Sequence, residues 1–128
     1  MAVIRAALKD VLAHNYAIGK RPETLVAVCF PTLVDPPNGF LESLDEPNLF
    51  PCSALKSTAS NAPRTLRKSG QGATQCSIWK LSIGADGRHA KVEGSCVDEP
   101  LSGGGFLVTL EKGAQGWLVL KSGSTWIG

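Results

Sequence analysis

Apolar and polar residues alternate most regularly in the last third of the chain. Trp79, Leu81 and Ile83 alternate with Lys80 and Ser82; Ala90, Val92, Gly94 and Cys96 alternate with His89, Lys91, Glu93 and Ser95. Phe106, Val108 and Leu110 then alternate with Leu107, Thr109 and Glu111, and Trp117 and Val119 with Leu118 and Leu120. A period of two sends alternate side chains to opposite faces of a strand. Asp86-Gly87 separates the first two runs, a strong hairpin signal, and Gly113 and Gly116 bracket the turn between the last two. The pattern predicts an antiparallel meander with one buried face.

Upstream the period changes. Over Val3 to Ala17, Ile4, Ala7, Leu8, Val11 and Leu12 recur at three- and four-residue spacing, with Arg5, Lys9 and Asp10 on the solvent side. This predicts an amphipathic helix, ended near Gly19 and Pro22. A helix of this length is marginal alone, and the meander's apolar face is its natural partner. Thr24 to Val34 carries Val26, Val28 and Phe30 on one parity and reads as a strand, or a strand pair interrupted at Pro31. Asp35 to Pro51 is a Pro-rich, turn-rich connection in which Leu41 to Glu46 has room for one or two helical turns. Cys52 to Thr74 is small and polar. The expected fold is α+β: one domain, an N-terminal helix packed on a four- or five-stranded, mostly antiparallel sheet, with a Pro/Ser-rich loop region at 35–74.

Composition narrows the function without naming it. The 128 residues carry a formal charge of +2, too small to imply nucleic acid. No apolar stretch reaches the length of a membrane span. Arg5, Lys9 and Asp10 interrupt the N-terminal apolar pattern, so Met1 to Ala13 does not read as a signal peptide. Four dispersed cysteines, Cys29, Cys52, Cys76 and Cys96, favour a disulfide framework over buried thiols. Of three possible connectivities, the local pairs Cys76–Cys96 and Cys29–Cys52 are preferred. A tight turn about Asp86 sets Cys76 opposite Cys96, but Cys76 has the wrong parity relative to Trp79 and Leu81, which a bulge or a different register would repair. Disulfides imply a periplasmic or secreted location; free thiols imply a cytoplasmic one.

Catalytic patterns are missing at any local spacing. His14 and His89 lie outside metal-ligand motifs, so neither a metal nor a cofactor is expected. Asp45-Glu46 and Asp98-Glu99 are adjacent pairs that a strand would point apart, poor material for general acid/base work. Ser102–Gly105 lacks the lysine and the following helix of a phosphate loop. Trp79 and Trp117 have core parity, and Trp126 is placed to cover the sheet's end. By contrast, 53–74 holds Lys56, Arg64, Arg67 and Lys68 with no acidic residue. The reading is a non-catalytic protein-binding domain, such as an inhibitor or immunity-type protein, with an acidic partner. Its contact residues are Phe40 and Leu41 in one loop and Arg64, Arg67 and Lys68 in the other, since aromatic and Arg residues anchor interfaces and Lys steers charged partners. The rival is a small-molecule-binding or catalytic domain with a pocket between helix and sheet.

The runs Ala90-Lys-Val-Glu-Gly, Gly105-Phe-Leu-Val-Thr-Leu-Glu-Lys and Gly116-Trp-Leu-Val resemble the C-terminal sheet of NTF2-like or cystatin-like domains. The resemblance spans Trp79 to Leu120 and implies a helix against a curved antiparallel sheet. The chain departs from it in its one long helix and its Pro- and Ser-rich middle, and no catalytic residue carries over. Those folds host enzymes, binding modules and inhibitors alike.

Overall fold

A computed structural model describes residues 2–14, 24–59, 63–99 and 102–127. Helix α1 spans Ala2–His14 and is followed by strand β1 (Val26–Cys29), the short helix α2 (Phe40–Ser43) and strand β2 (Leu49–Pro51). A single 3-10 turn at Cys52–Ala54 leads into a folded loop, then into β3 (Thr74–Ile83), β4 (His89–Glu99), β5 (Ser102–Gly113) and β6 (Gly116–Ile127). The predicted helix end at Ala17, Gly19 and Pro22 lies outside the described residues, as does the His14 side chain.

The six strands form one sheet in the order β2-β1-β3-β4-β5-β6. From β3 onward it is the predicted meander, turned at Asp86–Gly87 and between Gly113 and Gly116. The sheet differs from expectation in having six strands rather than four or five, and in being mixed: β1 runs parallel to both β2 and β3. The second half of Thr24 to Val34 is no strand. Phe30 and Val34 pair across a tight turn in which Thr32 and Leu33 both take positive φ, 67° and 59°, conformations costly for a β-branched residue and a bulky one.

One face of the sheet carries the main core. Val26 and Val28 of β1, Cys76 and Ile78 of β3, Val92 of β4, and Phe106, Val108 and Leu110 of β5 bury against Ile4, Ala7, Leu8, Val11 and Leu12 of α1. The helical stripe thus finds the surface its spacing requires. Helix α2 joins this layer: the Phe40 ring meets Phe30 edge-on at 4.9 Å between centroids, and Arg5 Nε donates to Ser43 Oγ at 3.0 Å. Gly94 clears space for Phe106, whose ring a Cβ there would strike.

Among the described residues, the other face is covered only at the β1–β3 end, where Leu55, Leu66 and Ala73 pack on Ala27. Each face holds one disulfide. Cys76 and Cys96 are directly paired across β3 and β4 inside the main core, while Cys29 and Cys52 fasten the outer loop to β1. The parity conflict at Cys76 is resolved by a bulge between Ile78 and Lys80. That bulge also corrects the reading of Trp79: the extra residue turns it outward, leaving it 55% exposed rather than in the core. Trp117 is half-buried against the core as its parity predicts.

A basic surface on the outer loop

The segment 52–73 lacks the hydrophobic alternation of a strand, yet its described parts, 52–59 and 63–73, fold against each other. Lys56 N donates to Thr65 O at 2.9 Å and Arg67 N to Ala54 O at 2.8 Å; Leu66 N reaches Gln71 O at 2.9 Å and Ala73 N reaches Arg64 O at 2.9 Å. These bonds make a small irregular hairpin whose apolar side, Leu55 and Leu66, is pinned on Ala27. The Cys29–Cys52 bridge holds its root. Asp35 clamps the same place, accepting from Ser53 N and from Ser53 Oγ, each at 2.7 Å.

This folding sorts the predicted contact residues. Arg64 turns inward, is only 7% exposed, and donates from Nε to Gln75 Oε1 at 3.2 Å; Gln75 Nε2 in turn donates to Ser77 Oγ at 3.0 Å. A guanidinium so placed serves the sheet rather than a partner. Phe40 is buried in the α2 layer and Leu41 is half-buried beside it, so their loop offers no aromatic anchor. Arg67 and Lys68 do face solvent, and Lys56 joins them. Arg67 is steadied by donation from Nε to Ser53 O at 3.1 Å.

The structure adds two residues that the sequence did not single out. Leu33 and Val34, on the positive-φ turn, are 48% and 51% exposed. They line an open groove of about 830 Å³ together with Asp35, Lys56 and Arg67. Arg67 also lines a neighbouring apolar groove of about 540 Å³ with Phe50, Pro51 and Leu66. The signal available in the sequence was Pro31-Thr32, then two apolar residues and Asp-Pro-Pro, a turn that must display what it carries. Among the described residues, no carboxylate is within salt-bridge range of Lys56, Arg67 or Lys68.

A second cluster sits at the β3–β4 turn. His89 Nδ1 lies 2.8 Å from Asp86 Oδ2, and its Nε2 lies 3.7 Å from Glu111 Oε1 on β5. Asp86 Oδ1 accepts from Arg88 N at 2.9 Å. That backbone bond, then the His89 side chain, holds the Asp86 carboxyl below its ordinary value of 3.8. An aspartate orienting a histidine is half of a nucleophilic triad. Here both ring nitrogens face carboxylates, which leaves none directed at a nucleophile. The group braces an exposed hairpin. No group of three or more His, Cys, Asp or Glu residues suited to a metal ion occurs among the described residues, and no helix among them is long and apolar enough to cross a membrane.

The chain matches no family model, no curated protein and no solved structure.

Proposed function

We propose that this chain is a non-catalytic protein-binding domain whose contact surface is the outer loop, centred on Arg67. The observation that carries the reading is the pairing of charge and order. Lys56, Arg67 and Lys68 are exposed and, among the described residues, form no salt bridge, with Asp35 the one carboxylate lining their groove, on a loop braced by Cys29–Cys52, the Asp35–Ser53 clamp and its own backbone bonds. A pre-ordered loop loses little conformational entropy on docking. The apolar turn at Leu33 and Val34 gives the surface a desolvable centre with a basic rim, and its partner is an acidic protein surface. Inhibitor and immunity-type roles fit this chemistry, and two disulfides fit a periplasmic or secreted setting.

The rival reading needs a pocket between helix and sheet. Leu8, Ile78, Val92, Phe106 and Val108 fill that interior, whereas the grooves described above open on the outer loop. The test is capture of a partner from extracts of the source organism, followed by calorimetry with the purified partner. Changing Arg67→Glu and Lys68→Glu together is expected to weaken binding at least about tenfold, with the largest loss at low salt. Unchanged affinity would remove this surface from the proposal.

A further inference from the structure

The two edges of the sheet are built differently. Strand β2 is three residues long and ends in Pro51, a length and residue that discourage pairing. Strand β6 is twelve residues long, Gly116–Ile127, and lies at the other edge. Leu118 and Leu120 on it are 61% and 57% exposed. A long edge strand with exposed apolar residues is a template for another strand.

We propose that β6 pairs antiparallel, edge to edge, with β6 of a second copy of this chain. The case rests on self-complementarity. Leu118 and Gly123 stand opposite Glu111 and Leu107 of β5, on the outer face; Trp117, Val119, Ser122 and Ser124 stand opposite Lys112, Leu110, Val108 and Phe106, on the inner face. Leu120 and Thr125 are the extra residues of two bulges. Leu120 lines a separate groove of about 540 Å³ on the outer face of the meander, with Lys80, Lys91, Glu93 and Thr109, and Thr125 Oγ1 lies over the outer side of Gly105. A two-fold axis between Leu120 and Lys121 therefore sets Leu120 opposite the partner's Lys121, Val119 opposite Ser122, Leu118 opposite Gly123, Trp117 opposite Ser124 and Gly116 opposite Thr125. Every pair matches outer with outer or inner with inner. Shifting the seam one or two residues either way sets inner residues against outer ones.

Size also matches. The bulky half of the strand, Trp117 to Leu120, meets its small half, Ser122 to Thr125. A Cβ added at Gly123 would touch nothing within 4 Å, so that position has open space in which Leu118 of the second copy fits. The closed seam is isologous, as a two-fold dimer requires.

Two features oppose the seam: the bulges at Leu120 and Thr125, which twist the edge, and Lys121. Two copies of it flank the axis with Cα atoms about 6 Å apart by ordinary strand spacing. Like charges so close destabilise the seam, and salt relieves them. The dimer is therefore weak, and it strengthens as ionic strength rises. This is opposite to the salt dependence of the basic loop, and it depends on neither Arg67 nor Lys68.

The test is sedimentation equilibrium of the disulfide-intact chain from micromolar to about millimolar concentration, at low and high salt. The expected result is a monomer–dimer equilibrium that salt favours. Lys121→Ser is expected to lower the dissociation constant about two- to fivefold. Leu118→Lys with Leu120→Lys is expected to raise it more than about tenfold, circular dichroism confirming the fold. A single monomeric species under all conditions overturns the proposal, as does a dimer indifferent to the double lysine variant. Should that variant unfold, Lys121→Ser decides, since it removes only an exposed charge: an unchanged dissociation constant overturns the seam.

Discussion

The two faces of the sheet are held by different means. The inner face is covered by α1 and α2 through a continuous set of fully buried aliphatic and aromatic side chains. Among the described residues, the outer face is covered at one end only, by a loop with three buried apolar residues on Ala27. What it lacks in apolar area it replaces with the Cys29–Cys52 bridge, the Asp35–Ser53 clamp and the buried Arg64–Gln75–Ser77 chain. A layer built this way keeps its exposed side free for charge, because its shape does not depend on turning every large residue inward. The inner layer has no such freedom.

This difference predicts that equal insults have unequal reach. Phe106→Ala removes the largest fully buried side chain of the inner face and is expected to cost about 3–5 kcal/mol, lowering the unfolding midpoint of the whole chain in a single transition. A midpoint that barely moves would show the inner core to be less tightly packed than drawn.

The disulfides are the sharpest contrast. They span 23 and 20 residues, so loop entropy predicts nearly the same loss for each, about 3 kcal/mol. The expected distinction is in where the loss appears. Replacing Cys29 and Cys52 with Ala should free the amides of 54–59 and 63–73 to exchange before global unfolding, whereas replacing Cys76 and Cys96 should lower protection throughout the meander. Hydrogen exchange with the same pattern in both variants would erase the comparison.

Arg64→Ala deprives the buried Gln75 of a partner and is expected to cost about 1–3 kcal/mol, with loosening confined to the outer loop and its strand. Exchange rates that rise equally in α1 would place Arg64 in the common core instead.

The smallest effect concerns the hairpin that neither layer covers. Asp86 has a lowered folded-state pKa, so its contribution is present above the ordinary value of 3.8 and is lost as pH falls through the folded value. Carboxyl titration by NMR should place its midpoint below 3.8, and Asp86→Ala should remove that acid-range dependence. Any loss above neutral pH would point to another group.

The inner layer was largely legible in the sequence because it obeys periodicity. The three- and four-residue spacing from Val3 to Leu12 and the alternation from Ala90 to Cys96 and Phe106 to Leu110 each report one buried face. The turn at Asp86-Gly87 was legible, but the register it sets, Ile83 opposite Ala90, would carry Cys76 to Val97; the bulge at Trp79 shifts the pairing by one residue and sets Cys76 against Cys96. Trp79 escaped the same logic because a bulge adds one residue and reverses parity: the conflict with Cys76 called for a bulge or a different register, but nothing in Ile78-Trp79-Lys80 marks its place. The parallel placement of β1 and β2 is likewise not a local property: short strands of four and three residues carry no mark of their neighbours' direction.

The candidate site was only half legible, for a related reason. Composition located a basic segment with no acid in it, and Arg67 and Lys68 are indeed displayed. Composition could not say which guanidinium turns inward, because that depends on Gln75 waiting below Arg64. Phe40 looked like a loop aromatic until Phe30, ten residues earlier in the chain, supplied a ring for it.

The placement of β1 between β2 and β3 has a consequence for the order of assembly. The β3–β4 and β5–β6 junctions close through tight turns and Glu99 pairs with the nearby Ser102, while Val26 must find Thr74 across more than a third of the chain. Contacts between sequence-distant residues carry the larger loop-closure cost and form late. The meander should therefore gather first and draw α1 onto its inner face, with β1 slotting in afterwards and bringing the outer loop with it. During oxidative folding, Cys76 and Cys96 then meet in a structure already formed, whereas Cys29 and Cys52 must wait for the last strand. The loop proposed to meet a partner would be the last part of the chain to acquire its shape.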